Sequence, residues 1–258
     1  MILVFTDSDG VLKESKQRVS ERNIRVITRA RMERGVVVIR ITGAPAHHLD
    51  DGLLVDRAFG ECGGVEWLAG GTVVVAPHAG DAKQALDELK QALNIVIDDG
   101  LISTPYGAFG VEGVRRTTLC LFFGQHPLYA DCSTSADPDM IARLVKDEIT
   151  ERNLPLYLMR GRTHTYEYFD IGHPDVMKKE RIVLSILESM QCKRAYYLGD
   201  AGNDAGAMQL DEIIPVTFSN GTPEIKQIVV DRNGILIDKP GPHGGSEEFF
   251  RRLIDGEL

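Results

Sequence analysis

The segment Ile2–Thr6 is a short apolar run that stops abruptly at Asp7-Ser8-Asp9-Gly10. A run with no polar alternation fits a β-strand buried on both faces, because a half-solvated strand would alternate apolar with polar residues. The pattern recurs. Val36–Ile41 ends at Thr42-Gly43, Ala195–Leu198 at Gly199-Asp200, and Ile213–Phe218 at Ser219-Asn220-Gly221. Strands of this kind belong to a parallel sheet covered by helices, where ligands bind beyond the carboxyl ends of the strands. If these strands are neighbours, Asp7, Asp9, Thr42, Asp200 and Asn220 converge at one edge.

The intervening segments carry the helices such a sheet needs. Ser20 is placed to cap a helix running to about Arg34, with Ile24, Ile27 and Ala30 on one face and Gly35 as terminator. The strand–helix–strand order predicts a right-handed parallel unit. Beyond about Val75 the pattern changes. Asp81–Leu93 reads as an amphipathic helix, Thr117–Phe123 as a strand, the surroundings of Ile141, Leu144 and Val145 as a helix, and Tyr166–Ile171 as a strand. From Val176 the strand–helix alternation returns, with helices over Ile182–Met190 and Glu247–Leu253. The expected architecture is a doubly wound parallel α/β core with an inserted α+β domain. Its expected boundaries are residues 1–79 and 171–258 for the core and 80–170 for the insertion.

Composition narrows the function classes. Hydrophobic residues make up 43% of the 258 positions, enough for a sizeable core, and the net charge of −9 argues against a nucleic-acid or anionic-membrane binder. No stretch approaches the roughly 18 apolar residues of a membrane span, and the first residues lack the basic leader of a signal peptide. Cys62, Cys120, Cys132 and Cys192 include no C-x-x-C pair, which favours reduced thiols over a zinc site. The expected location is the cytoplasm.

The strand ends hold the chemistry. Asp7 and Asp9 lie two apart, and Gly10 lets the chain turn sharply; taken alone, the pair also fits an Asp-Gly hairpin turn. Asp200 and Asp204 lie four apart after a strand, a spacing that one helical turn would bring to a single face. With Asp7 they form an oxygen-rich set suited to Mg²⁺, whereas an EF-hand calcium loop is a poor match because Gly202 stands where that loop needs Asp or Asn. Thr42 and Lys178 are candidate donors to phosphate oxygens. No G-x-x-x-x-G-K-[ST] loop, G-x-S-x-G elbow or H-E-x-x-H pair is present.

Together these segments resemble the haloacid-dehalogenase superfamily of phosphatases. The matching motifs are Val4-Phe5-Thr6-Asp7-Ser8-Asp9-Gly10-Val11-Leu12, then Val38-Ile39-Arg40-Ile41-Thr42-Gly43, then Val176-Met177-Lys178-Lys179, then Gly199-Asp200 through Asp204, in the family's order. The long stretch between Thr42 and Lys178 is similar to the larger cap domain of Cof-type, phosphoglycolate, sucrose-phosphate and trehalose-phosphate phosphatases. The chain departs from the family in two places. Ala44 replaces the Arg of a Thr-Gly-Arg motif, and Lys178-Lys179 replaces Lys-Gly, which leaves either lysine as the functional one; Lys178 is favoured by its distance from Val176.

The resemblance implies a Mg²⁺-dependent phosphomonoester hydrolase. Asp7 would be the covalent nucleophile and Asp9 the acid–base. Thr42, Gly43 and Lys178 would bind phosphate, and Asp7, Asp9 (through its carbonyl), Asp200 and Asp204 would hold the metal, with Asn203 orienting. Arg115, Arg116, Arg160, Arg162 and His164 of the inserted domain are candidate readers of the substrate. Gly241-Pro242-His243-Gly244-Gly245 is similar to tails of some sugar-phosphate phosphatases and leans towards a sugar or sugar-acid phosphate. The expected partner is a small phosphorylated molecule, with neither nucleic acid nor membrane, acted on by a monomer or homodimer. The rivals are a phosphosugar mutase of the same superfamily and, from another class, a phospho-accepting signalling module, which is roughly half this length.

Overall fold

The computed structural model describes residues 2–15, 17–68, 71–77, 79–93, 96–98, 101–104, 107–111, 115–124, 136–162, 166–192 and 195–258, with backbone alone for 79, 96–98, 101–104, 107–111, 162 and 166. The chain divides into two compact units, Met1–Val74 with Lys178–Leu258, and Val75–Met177. The first unit opens with β1 (Ile2–Thr6), α1 (Glu21–Arg34), β2 (Val36–Ile41), β3 (Arg57–Gly60), β4 (Val65–Trp67) and β5 (Val73–Val75). The second unit runs through α2 (Ala79–Ala92), β6 (Val96–Asp98), β7 (Leu101–Thr104), β8 (Gly107–Val111), β9 (Thr118–Gly124), α3 (Pro138–Glu151), β10 (Tyr157–Arg162) and β11 (Tyr166–Gly172). The first unit then resumes with α4 (Lys179–Ser189), β12 (Ala195–Leu198), α5 (Ala205–Met208), β13 (Ile213–Phe218), α6 (Pro223–Asp231), β14 (Ile235–Ile237) and α7 (Ser246–Asp255).

The sheet of the first unit has the order β14-β13-β12-β1-β2-β3-β4-β5. From β14 through β3 every pair is parallel, and β4 turns back antiparallel on β3. The chain enters at the middle of the sheet, builds outward through β2 and β3, then returns to build outward on the other side of β1. The junction of β1 and β12 is therefore the topological switch point, where open α/β sheets bind their ligands. Thr6 is level with Leu198 on one side and Arg40 on the other, so the residues that follow β1, β2 and β12 emerge at one edge.

Both faces of this sheet are covered. Val4, Val38, Leu198 and Phe218 pack with Val26, Ile27 and Ala30 of α1 and Phe249, Phe250 and Leu253 of α7. Leu3, Phe5, Ile39, Ile41 and Tyr197 face the other way, against Val183, Ile186 and Leu187 of α4 and Ile225 and Val229 of α6. Alternate residues of one strand thus supply two cores. The ends of α1 form as their residues dictate: Ser20 Oγ accepts the Asn23 amide at 3.2 Å, and Gly35 takes the left-handed conformation (φ 62°) that closes the helix.

The second unit is a six-stranded antiparallel sheet, order β10-β11-β9-β8-β7-β6. Leu119, Leu121 and Phe123, two apart on β9, share a core with Phe169 and Ile171 of β11, Leu86 and Leu89 of α2, and Ile141 and Val145 of α3. It is an α+β unit, inserted in sequence between two halves of an α/β unit. The expected boundaries at 79/80 and 170/171 lie a few residues inside the division between the two units. The division falls at Val74/Val75 and Met177/Lys178, because β11 stays paired with β9 as far as Gly172. Among the described residues, no helix is long and apolar enough to cross a membrane.

Candidate active site

Asp7 leaves β1 buried. Its amide donates to Leu198 O at 2.9 Å, and its Oδ1 accepts the Ser8 amide at 2.7 Å. Asp9 follows in a tight loop in which the amides of Leu12 and Lys13 both donate to Ser8 O and the Gly10 amide donates to Lys13 O. Gly10 has φ 77°, and a Cβ there would overlap Asp200 Oδ2. Glycine is thus required twice at this point, by backbone conformation and by the approach of the carboxylate that follows β12.

The cation beside Asp7 is Lys179, not Lys178. Lys179 is 1% exposed, with Nζ 3.2 Å from Asp7 Oδ1 and 2.7 Å from Asp204 Oδ1. Lys178 is the N-cap of α4 and is exposed. The sequence carried the signal. Lys179, Val183, Ile186 and Leu187 have the spacing i, i+4, i+7, i+8 of one buried helix face, and Lys178 is out of phase with it. Burial alone would push the Lys179 ammonium down, but the carboxylates of Asp204 and Asp7 more than offset it and hold it well above its ordinary value.

Asp200 and Asp204 meet across the short 3₁₀ turn Gly202–Asp204. Ala201 is extended (φ −130°, ψ 166°), and Asp204 reaches back so that its Oδ2 accepts the amides of Asp200 (3.1 Å) and Ala201 (3.3 Å). Its Oδ1 accepts Lys179 Nζ and the hydroxyl of the fully buried Tyr197 at 2.8 Å. A carboxylate has about four acceptor sites, and here all are filled by protein donors. Both oxygens of Asp204 are therefore held by the protein itself. Gly199 makes room for it, since a Cβ there would lie 2.6 Å from Asp204 Cβ.

Carboxylate oxygens of Asp7, Asp200 and Asp204 lie within 4.8 Å of one another. Three carboxylates face the single ammonium of Lys179, which leaves negative charge uncompensated when all are ionised. Burial, with Asp204 and Asp9 nearby, pushes Asp7 up to about 7 despite the opposing pull of Lys179 and the Ser8 amide. Burial, then the charges of Asp204 and Asp7, raise Asp200 well above the usual carboxylate range. Asp200 Oδ1 is buried without a hydrogen-bond partner. An all-oxygen donor set with excess negative charge and an orphaned carboxylate oxygen fits a hard divalent cation such as Mg²⁺.

Thr42 is buried at the end of β2. Its Oγ1 accepts the Ala44 amide at 3.2 Å, and its carbonyl accepts the Cys62 amide at 2.9 Å; Gly43 follows, half-buried. Asn203 is half-buried on the turn after β12, with its Oδ1 buried and without a partner. Asn220 donates from Nδ2 to Gly10 O at 2.8 Å and accepts the Gly241 amide at 2.9 Å, which ties the β13 end and the C-terminal turn to the β1 loop.

Sequence reasoning missed two groups. Glu61 and Cys62 follow β3 in consecutive left-handed conformations (φ 52° and 58°), each costing an L-residue about 1–2 kcal/mol. Both are buried, and Cys62 lies close enough to influence Lys179. The signal was the glycine cluster Gly60, Gly63 and Gly64, which marks a tight turn at a strand end. The second group is Lys13, Arg40 and Asp51, all buried. Arg40 forks onto both oxygens of Asp51 at 2.8 and 2.5 Å and donates from Nε to Ser8 Oγ at 2.6 Å. Burial alone would raise Asp51, but Arg40 and Lys13 hold it below its ordinary value.

Among the described residues, the candidates of the second unit are not gathered into one cluster. Arg115 donates to Thr118 Oγ1 at 3.1 Å and lies 3.3 Å from Asp170 Oδ1. Arg115 and Arg116 line a cavity of about 430 Å³ together with Lys83, Asp87 and Lys90 of α2. Arg160 is exposed in part, paired with Glu167 and with Asp139 at 2.6 Å. The Arg162 side chain and His164 lie outside the described residues.

No family model and no curated protein matches the chain by sequence. Solved structures do match it in fold. A protein of Thermoplasma acidophilum aligns with TM-score 0.68 at 17% identity, covering 98% of each chain. A phosphatase of the haloalkanoate (HAD) enzyme superfamily from Bacteroides thetaiotaomicron aligns with TM-score 0.65 at 16% identity, over 98% of this chain and 95% of that one. The sucrose-phosphatase of a Synechocystis species, solved with sucrose and phosphate, aligns with TM-score 0.63 at 15% identity, over 98% of this chain and 97% of that one. The chain therefore has the fold of HAD-superfamily phosphatases, an α/β core with an inserted α+β unit.

Proposed function

We propose that this protein is a Mg²⁺-dependent phosphomonoester hydrolase of the haloacid-dehalogenase superfamily that works through an aspartyl-phosphate on Asp7. One observation carries the reading. A buried carboxylate at the switch point of a parallel sheet lies 3.2 Å from a buried ammonium and beside the orphaned oxygen of Asp200.

Asp7 attacks phosphorus, forming its O–P bond as the bond to the substrate oxygen breaks. Asp9 gives its proton to the departing alcohol, then takes one from the water that attacks phosphorus and releases Asp7. Lys179 and Thr42, with the Gly43 backbone, bind the transferring phosphoryl oxygens; Lys179 replaces Lys178 in that role because of its burial beside Asp7. Asp7, the Asp9 carbonyl and Asp200 would hold Mg²⁺, while Asp204 and Asn203 orient the loop that carries Asp200. Bound there, the ion supplies positive charge that offsets repulsion between Asp7 and the phosphate dianion.

The substrate class is a sugar or sugar-acid phosphate. The reading draws support from neighbours described as a sucrose-phosphatase and as a sugar phosphatase, both matched over nearly their full length. Arg116, exposed at the cavity of the second unit, is a candidate there for reading an anionic part of the substrate. The proposed setting is the cytoplasm, in keeping with Cys62, Cys120 and Cys192 lying outside any disulfide among the described residues. We assign it no nucleic-acid or membrane partner and expect a monomer or homodimer.

The test is phosphate release from a panel of phosphosugars, phosphoglycolate and nucleotides, with Mg²⁺ and with EDTA. Release that needs Mg²⁺ and vanishes in Asp7→Asn is expected. Isomerised sugar phosphate without free phosphate would replace the hydrolase with a mutase.

A further inference from the structure

Lys13 follows the buried pair Val11-Leu12 and is itself only 4% exposed. A lysine is almost never buried without partners. Its Nζ faces three acceptors: His48 O at 3.2 Å, Asp51 Oδ2 at 3.4 Å and Asp9 Oδ1 at 3.9 Å. The His48 carbonyl accepts a hydrogen bond, whereas Asp51 and Asp9 are held by charge, Asp9 at the longer distance. Asp51 is in turn clasped by the Arg40 fork, and the remaining arm of Arg40 reaches Ser8 Oγ.

The two residues that follow Asp7 are thus tied to one carboxylate by two different cations, Ser8 through Arg40 and Asp9 through Lys13. The backbone closes the same loop, since the Lys13 amide donates to Ser8 O, the Gly10 amide to Lys13 O, and Asp9 bridges Lys13 in a short β-contact. Asp51 stands 38 or more positions from each of them in sequence, in the connection between β2 and β3, so the brace fixes the β1 loop to a second loop at the same edge of the sheet.

Stability alone is a weak reason for this set. Desolvating two ion pairs costs several kcal/mol per ion, and well-packed apolar residues are commonly as stable. What the set supplies is direction. An acid–base group must meet the leaving oxygen and then a water from one fixed position, and a displacement of about 1 Å costs a reaction about a hundredfold.

We propose that Lys13, Asp51 and Arg40 are positioning residues that hold Asp9 in line for its two proton transfers. The inference rests on the phosphatase reading above. It assigns no contact with substrate to any of the three.

The test separates proton transfer from the rest of the reaction by leaving group. An alkyl phosphate such as glycerol phosphate needs Asp9 to protonate its leaving oxygen, whereas p-nitrophenyl phosphate does not. Single-turnover rates of the first step are measured on both esters for wild type, Lys13→Met and Asp51→Asn. Both variants should lose about 10- to 100-fold on the alkyl ester and less than about threefold on the aryl ester. The aryl ester should then show a burst of p-nitrophenol, because the water step that follows also needs Asp9. Equal losses on the two esters, or none, would overturn the brace. If Lys13→Met does not fold, the isosteric Asp51→Asn carries the same comparison. Wild type inactive on both esters would instead overturn the phosphatase reading itself.

Discussion

In the first unit, Asp7, Lys179, Asp204 and Tyr197 are buried and bound to one another. In the second, Arg160 pairs with Asp139 and Glu167 where solvent reaches them. The same residue types do different work in the two places. A buried carboxylate that loses its cation has no water to turn to, so each member of the first set depends on the others. An exposed pair exchanges its partner for solvent at little cost. The Asp7 set therefore holds fixed chemistry, and the Arg160 set holds charges that can change without disturbing the fold; the buried Arg115–Asp170 pair of the second unit is of the first kind.

The sharpest contrast lies between two adjacent lysines. Lys179→Met should lower turnover by at least about a hundredfold, as removal of a preorganised charge does. It should also destabilise the protein by about 3–5 kcal/mol, because Asp7 and Asp204 stay buried without their cation. Lys178→Met, one residue earlier and exposed, should change stability by less than about 0.5 kcal/mol and leave turnover intact. Chemical denaturation and phosphate release on the two variants check this. Equal effects would erase the distinction between buried and exposed charge.

Gly10→Ala comes next. The left-handed backbone and the carboxylate of Asp200 both stand against a Cβ, so activity should fall severalfold or more and stability by about 1–3 kcal/mol. In the second unit, Arg160→Met should cost less than about 1 kcal/mol. Arg116→Ala should raise KM with kcat nearly unchanged, the signature of lost uniform binding. A fall in kcat for Arg116→Ala would move that residue into the chemical step.

The pH dependence follows from Asp7. Its folded pKa of about 7 lies above the ordinary 3.8, so ionising it opposes folding. The penalty is absent below about pH 4 and complete above about pH 7, so this group makes stability fall as pH rises through that window. Thermal unfolding in EDTA should show the decline, and Asp7→Asn should flatten it and raise Tm at pH 7. Added Mg²⁺ should raise wild-type Tm at pH 7 by binding the native state alone. A wild-type Tm that rises between pH 4 and 7 in EDTA beyond the rise in Asp7→Asn would contradict the sign.

Much of this was legible in the sequence, and the reason is local. β1, β2, β12 and β13 are mostly apolar runs, broken by Arg40 in β2 and Thr217 in β13, and the residues after each run had to emerge at a sheet edge. The Asp7, Thr42, Asp200 and Asn220 placements need little more than that. What stayed hidden depends on phase and on distance along the chain. The choice between Lys178 and Lys179 turns on which side of α4 packs against the sheet, a phase that Val183 and Ile186 encode but that spacing from Val176 does not. The spacing of Asp200 and Asp204 marks the turn that joins them, but not that Asp204 Oδ2 accepts the Asp200 and Ala201 amides and so closes it. Lys13, Arg40 and Asp51 were invisible because nothing local says that three charged residues from separate segments share one buried site.

The central claim is that Asp7 becomes covalently phosphorylated, and an acid quench tests it directly. Wild-type protein with Mg²⁺ and p-nitrophenyl phosphate is quenched during turnover, digested and mapped by mass spectrometry. The account predicts a phosphoryl group on the peptide carrying Asp7, sensitive to hydroxylamine and missing from Asp7→Asn. Steady turnover with no such adduct, and with Asp7→Asn as active as wild type, would contradict it.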